Sequence, residues 1–193
     1  MFRVFRVSDL TKPRGELKTK WGQFISEPQR LAMEGGQRLH EALLKKYGGA
    51  HAEKTLAIFL HPLNAKPPYP ITGIITGTPD RVIYNPKTNT LTIRDYQSIS
   101  LKTKPVPRPE NWTQVLLYAV MFYINYPKYL ITSIKLELWQ FYRHNSIKES
   151  IEKPIAKHLL TLTPEDIRTK ALNWIKEQVG EDWNISGKGY VFI

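Results

Sequence analysis

Apolar and polar residues alternate in short blocks along most of the chain, and three longer blocks follow a helical period. Phe2–Val7 alternates briefly inside a mixed, basic N-terminal segment. In PQRLAMEGGQRLHEALLKKY (Pro28–Tyr47), Gly36, His40, Leu43, Leu44 and Tyr47 fall on one face, which predicts a helix closed by Gly48–Gly49. Glycines at 35 and 36 weaken that helix and point to a close approach by another backbone or a ligand. Thr55–Leu60 and Ile71–Thr76 are β-branched stretches on either side of the proline-rich HPLNAKPPYP, a strand–loop–strand pattern. Asp80–Tyr84 and Thr90–Ser98 flank a turn at Asn85–Asn89 and predict a β-hairpin. A basic loop, LKTKPVPR (Leu101–Arg108), leads to a second helix that opens at Pro109, runs through ENWTQVLLYAVMFYINY and stops at Pro127. Ser133–Tyr142 alternates as a strand, and Thr163–Val179 reads as a third helix, with Thr163 and Asp166 as a capping pair and Gly180 beyond its end.

This order predicts a mixed α/β domain. The expected layout is one domain: an N-terminal segment 1–27, a core of about 28–142, and a C-terminal helical extension of about 150–193. The N-terminus MFRVFRVSDLTKPRG holds no apolar run long enough for a secretory signal, and no window approaches a membrane span, so an intracellular, non-membrane protein is expected.

Composition narrows the chemistry. With no cysteine among 193 residues, disulfides, thiolate-held zinc and an iron–sulfur cluster are excluded. Lys and Arg number 28 against 17 Asp and Glu, a net charge of +11 that favours an anionic partner such as nucleic acid or an acidic membrane surface. The absence of cysteine beside many Ile, Lys, Tyr and Pro suits a thermophilic (archaeal) host or its virus.

Against that background the acids stand out. Between Lys54 and Pro109 only Asp80 and Asp95 are acidic, among Lys66, Arg81, Lys87, Arg94, Lys102 and Lys104. A hairpin turning at Lys87–Thr88 sets Asp80 opposite Asp95, Val82 opposite Ile93 and Tyr84 opposite Leu91, with Gln97 on the same face. Like charges opposed across strands destabilise a sheet, so a half-buried pair needs a shared proton, a cationic side chain or a metal ion. Two readings are open: an oxygen-rich site for Mg²⁺ or Mn²⁺ in phosphoester chemistry, or two solvated acids each paired with a nearby Arg or Lys.

The stretch TGTPDRVIYNPKTNTLTIRDYQS resembles the core of RecB-like nucleases in the PD-(D/E)XK superfamily, including CRISPR-associated and viral exonucleases, whose pattern is G-x-x-D, a hairpin, then hydrophobic-x-D-Y-K-[ST]. VSDLTKPR is similar to the family's S-D-L … P-R segment, GQRLHEALLKKYG to its G-x-x-x-H helix, and QVLLYA to its Q-x-x-x-Y-A helix, all in the family's order over about residues 7–142. The resemblance implies a restriction-endonuclease-like core, a mixed central sheet flanked by helices, and a Mg²⁺- or Mn²⁺-dependent deoxyribonuclease acting on single strands or ends. It implies Asp80, Asp95, His40 and the carbonyl of Tyr96 as metal ligands. Gln114 and Tyr118 would support the site and the substrate strand. The family's catalytic lysine position holds Gln97, which can hydrogen-bond a water but carries no charge. Lys102 or Lys104 from the next loop is a candidate to replace that lysine, whereas Arg94 lies on the opposite strand face. A fold retained for DNA binding after loss of catalysis is the competing reading.

Lys102, Lys104 and Arg108 suit a phosphate backbone, or simply a solvated loop. Trp21, Trp112 and Trp139 are candidates for stacking on bases, with Trp139 equally suited to a core. His51, His61, His144 and His158 show no metal-ligand spacing.

Overall fold

The computed structural model of the chain describes residues 3–11, 27–48, 55–62, 71–179, 183–187 and 190–192. Trp21, His51 and Lys66 lie outside the described residues. The elements run β1 (Arg3–Arg6), α1 (Val7–Leu10), α2 (Glu27–Tyr47), β2 (Leu56–Pro62), β3 (Gly73–Gly77), β4 (Arg81–Asn85), β5 (Thr90–Ser100), α3 (Pro109–Asn125), β6 (Ser133–Arg143), α4 (Ile147–Ser150), β7 (Ala156–Leu162), α5 (Pro164–Val179), β8 (Trp183–Gly187) and β9 (Tyr190–Phe192).

The strands form two mixed sheets, ordered β1-β3-β2-β8-β9 and β4-β5-β6-β7, in place of the single central sheet expected. The division falls between β3 and β4, where Pro79 has no N–H to continue a ladder. A second correction concerns residues 150–193, expected as a helical extension. They hold α5, but β7 joins the second sheet beside β6 and β8–β9 complete the first beside β2. The edge strand β7 leaves Leu159 and Leu160 exposed, so its AKHLLTL sequence lacks the clean alternation that marks a half-buried strand. The capping pair of α5 is as the sequence predicts. Thr163 Oγ1 accepts from the Asp166 amide at 3.1 Å, and Asp166 Oδ2 accepts from the Thr163 amide at 3.0 Å and hydroxyl at 2.7 Å. Those bonds hold the Asp166 carboxyl down at about 2.

The β4–β5 hairpin adopts the register expected from its turn, with Val82 opposite Ile93 and Tyr84 opposite Leu91. Asn89 closes the turn at φ 49°, a left-handed conformation that asparagine tolerates better than most residues. Strand β5 then pairs in parallel with β6, and α3 makes the crossover that a parallel pair requires.

Helix α3 is apolar almost all round. Val115, Leu117, Tyr118, Ala119, Val120, Met121, Phe122 and Ile124 are buried, the signature of a helix covered on several sides. Leu56, Ile58, Leu60 and Ile75 of the first sheet and Val82, Leu91, Ile93, Leu136 and Leu138 of the second join it in one core. The opposite face of the second sheet packs on α2, through Leu39 and Leu43 against Tyr96 and Phe141. At the end of α2 the Tyr47 carbonyl accepts from Arg81 Nη1 and Tyr96 Oη, both at 2.6 Å, which satisfies one of the acceptors a helix end leaves unpaired. Among the described residues no helix is long and apolar enough to cross a membrane.

The close approach expected at the α2 glycines is found elsewhere. A Cβ on Gly35 would meet nothing within 4 Å, and one on Gly36 only Arg143 Nη2 at 3.9 Å. A Cβ on Gly77, by contrast, would lie 2.5 Å from Tyr118 Cε1 and 2.7 Å from Val7 Cγ2. Both neighbours are themselves buried, Val7 at 1% and Tyr118 at 4% exposure, so neither has room to yield. Gly77→Ala is therefore expected to cost about 1–3 kcal/mol through overpacking, read as a lower urea midpoint with an unchanged m-value.

Candidate active site

Strand alternation sends Asp80, Val82 and Tyr84, with Leu91, Ile93, Asp95 and Gln97, towards α3. The apolar members join the core there, and the two aspartates end the row with exposures of 6% and 8%. Asp80 lies one residue before β4. Its Oδ2 accepts from the Tyr96 amide at 2.7 Å, and its Oδ1 stands 3.3 Å from His40 Nε2, delivered by α2 from the other side of the hairpin. Asp95 Oδ2 accepts from Gln97 Nε2 at 3.3 Å. Burial raises the Asp95 carboxyl well above its ordinary value, and the Asp80 charge raises it further; the Gln97 bond and His40 act in the opposite direction.

Helix α3 supplies the roof. Gln114 Nε2 donates to Tyr118 Oη at 3.0 Å, one helical turn on, as the spacing of the two residues anticipates. Burial raises the Tyr118 hydroxyl, the Gln114 bond lowers it, and the charges of Asp95 and Asp80 raise it again, so the phenol lies within the electrostatic reach of both carboxylates. Tyr118 is thus a neutral phenol near the acid pair, its oxygen accepting from Gln114.

The remaining candidates separate. Arg94 faces away from the acids, as alternation requires; its Nε donates to Glu137 Oε2 at 2.6 Å and its guanidinium lies 3.6 Å from the centre of the Trp139 ring. Trp139 is accordingly a packed residue of the α2-facing side, between Arg94 and Lys157. Trp112 packs, partly buried, against the α3 core. Lys102 and Lys104 are exposed in the loop after β5. Arg108 joins Gln97, Ser98, Ser100, Asn111 and Gln140 around a cavity of about 370 Å³, which meets the acid pair through Gln97. His61 is buried in β2, and His144 makes a ring contact with Tyr142.

Two residues with no sequence signal also reach the site. Gln140 of β6 donates from Nε2 to Gln97 Oε1 at 3.3 Å, and His158 of β7 lies with Nε2 3.1 Å from Gln140 Oε1. Only the β5–β6 register, which pairs Gln97 with Gln140 across 43 positions, brings them there.

Among the described residues no three His, Asp or Glu side chains gather closely enough to hold a metal ion unaided. A hard divalent cation does not need such a cage, since Mg²⁺ keeps several waters and takes one or two carboxylates. The donors present are oxygens, and burial, with the Asp80 charge beside it, disfavours the Asp95 carboxylate, a penalty that a cation would offset. The pair therefore fits Mg²⁺ or Mn²⁺ and does not suit a soft, thiolate-seeking metal.

Among solved structures the chain is similar to a phage-related exonuclease from Haemophilus somnus 129PT, with a TM-score of 0.38 and 14% identity over 93% of this chain and 92% of that one. No family model and no curated protein matches it.

Because the folded chain holds the Asp95 proton more tightly than the unfolded chain, its contribution to stability is fully present below about pH 4 and is lost as pH rises through the raised folded value. Asp95→Asn, which mimics the protonated form, is expected to melt higher than the wild type in EDTA, by a margin that grows above about pH 4 and then levels. Saturating Mn²⁺ is expected to raise the melting temperature of the wild type and not of the variant. Thermal melts across pH, with and without the metal, check both.

Proposed function

We propose that the chain is a Mg²⁺- or Mn²⁺-dependent deoxyribonuclease of the PD-(D/E)XK kind, hydrolysing phosphodiester bonds in single-stranded DNA or at DNA ends. The observation that carries this reading is the buried, opposed pair Asp80 and Asp95, with His40 on one carboxylate and Gln97 on the other.

In this reading Asp80 and Asp95 hold the ion, with the Tyr96 carbonyl as a further oxygen donor and His40 beside Asp80. When bound, such an ion neutralises the acid pair, polarises the scissile phosphate and lowers the pKa of water. His40 stands 3.3 Å from Oδ1 while the Tyr96 amide donates to Oδ2, so the Asp80 carboxylate is held from both oxygens. Gln97 supplies a neutral hydrogen bond at the position where the family carries a lysine. Gln114, which donates to Tyr118, and the Tyr118 phenol support the site and the substrate strand. Lys102, Lys104 and Arg108 bind the phosphate backbone of the strand, and the net charge of +11 draws the substrate in.

Gln97 itself favours a second reading, a nuclease fold that binds DNA without cutting it. Losing one charged contact to a phosphoryl transition state costs on the order of 10²–10³ in rate. Labelled single- and double-stranded DNA incubated with Mg²⁺, Mn²⁺ or EDTA separates the two. The nuclease reading expects metal-dependent cutting that Asp80→Ala and Asp95→Ala both abolish, and a rate gain on the order of 10²–10³ in Gln97→Lys. Binding that survives EDTA and Asp80→Ala, with no cutting even by Gln97→Lys, overturns it in favour of the binder.

A further inference from the structure

A chain of three side-chain hydrogen bonds crosses β7, β6 and β5 on the side that faces α3. His158 Nε2 meets Gln140 Oε1 at 3.1 Å, Gln140 Nε2 meets Gln97 Oε1 at 3.3 Å, and Gln97 Nε2 meets Asp95 Oδ2 at 3.3 Å. Gln140, the middle member, is 2% exposed and has no solvent to fall back on.

The direction of the chain follows from its last member. Gln97 turns its NH₂ to Asp95 and its oxygen to Gln140, the orientation required once Asp95 holds a cation, because a carboxylate only accepts. Gln140 must then present its own NH₂ to Gln97, which leaves its oxygen facing β7. The nitrogen that meets this oxygen must carry a proton, so His158 donates from Nε2, as it does in the Nε2–H tautomer and in the imidazolium alike. Reversing either amide would set donor against donor or acceptor against acceptor at the buried Gln140 or Asp95, at the cost of an unsatisfied polar group.

We propose that Gln140 and His158 are positioning residues that lock the Gln97 amide with its nitrogen towards Asp95, making Gln97 a hydrogen-bond donor at the site. The proposal deepens the nuclease reading and rests on it for its consequence in catalysis. The Gln97 oxygen is engaged by Gln140, so Gln97 does not act chiefly as an acceptor for the attacking water. Its amide nitrogen has two N–H groups, of which Asp95 takes one. The other borders the cavity of about 370 Å³ that Gln97 and Gln140 line with Arg108 and Asn111, where a phosphate oxygen of the strand can accept it. Gln97 then does with a neutral N–H part of what an ammonium would do, and does it only while its rotation about χ3 is blocked.

Steady-state cleavage with Mn²⁺ and NMR of the side-chain amides test this together. Gln97→Met, Gln140→Met, the double variant, His158→Leu and His158→Gln would be compared. Gln140→Met and His158→Leu are expected to lower kcat about 10-fold with KM unchanged, as loss of a supporting partner does. His158→Gln, whose amide still donates to Gln140, is expected to recover most of that loss. The double variant is expected to lose no more than Gln97→Met alone, since Gln140 acts only through Gln97. Losses that multiply in the double variant, or a Gln140→Met protein with the wild-type kcat, overturn the proposal. The NMR arm needs no turnover. The Gln97 NH₂ resonances, assigned by their absence in Gln97→Met, are expected to shift in Gln140→Met and to stay in place in His158→Gln. If they shift while no protein cuts DNA, the nuclease reading fails and the positioning chain stands. If they do not move in Gln140→Met, the chain itself is refuted.

Discussion

Two like charges buried at one end of a β-ladder are the constraint to which the surrounding structure answers. Left alone, Asp80 and Asp95 would repel across the hairpin and lose their hydration together. The fold meets this from three sides. The Tyr96 amide and His40 engage Asp80, the Gln97 amide engages Asp95, and the neutral Tyr118 phenol lies within electrostatic reach of both. These groups do not offset the loss of hydration, and burial, followed by the Asp80 charge, holds the Asp95 carboxyl above the usual carboxylate range. A carboxyl whose charged form is disfavoured in this way, beside a second acid, marks a candidate functional site.

The same end of the hairpin is where the fold is tightest. Gly77 closes β3 three residues before Asp80, and over it meet Val7 from the first helix and Tyr118 from the third. Four separate stretches of chain, around residues 7, 40, 77–97 and 118, thus converge within side-chain reach of one another. Helix α3 makes this possible because it is buried between two sheets and cannot shift without disturbing both. The acid pair therefore sits on rigid elements, while the cations expected to meet DNA sit on the exposed loop that leads into α3.

Much of this was legible before the fold was known. The hairpin register followed from one turn, because side chains alternate with a period of two and a slip of one residue would have turned the apolar row outwards. The α2 and α3 boundaries followed from proline, glycine and the helical period. No backbone among the described residues makes the close approach expected at Gly35 and Gly36, since a glycine in sequence shows conformational freedom and not what stands over it. The division into two sheets was missed because strand pattern does not say which strands pair. The strands after residue 155 were missed because short or edge strands bury too little to alternate.

Local pattern was thus sufficient for the opposition of the two acids and for the Gln114–Tyr118 spacing, since each depends on a period or a turn within a few residues, whereas His40 was singled out only by the family resemblance. The partnership of Gln97 with Gln140 and His158 is of another kind. It depends on a parallel register between strands that are 43 positions apart at the bond and are joined by a buried helix. No local spacing encodes such a pairing, because it is selected by how the whole apolar surface of α3 is covered. The chain's own residues could name the acids; which neutral groups stand around them, and which way those groups point, only the packed sheet could decide.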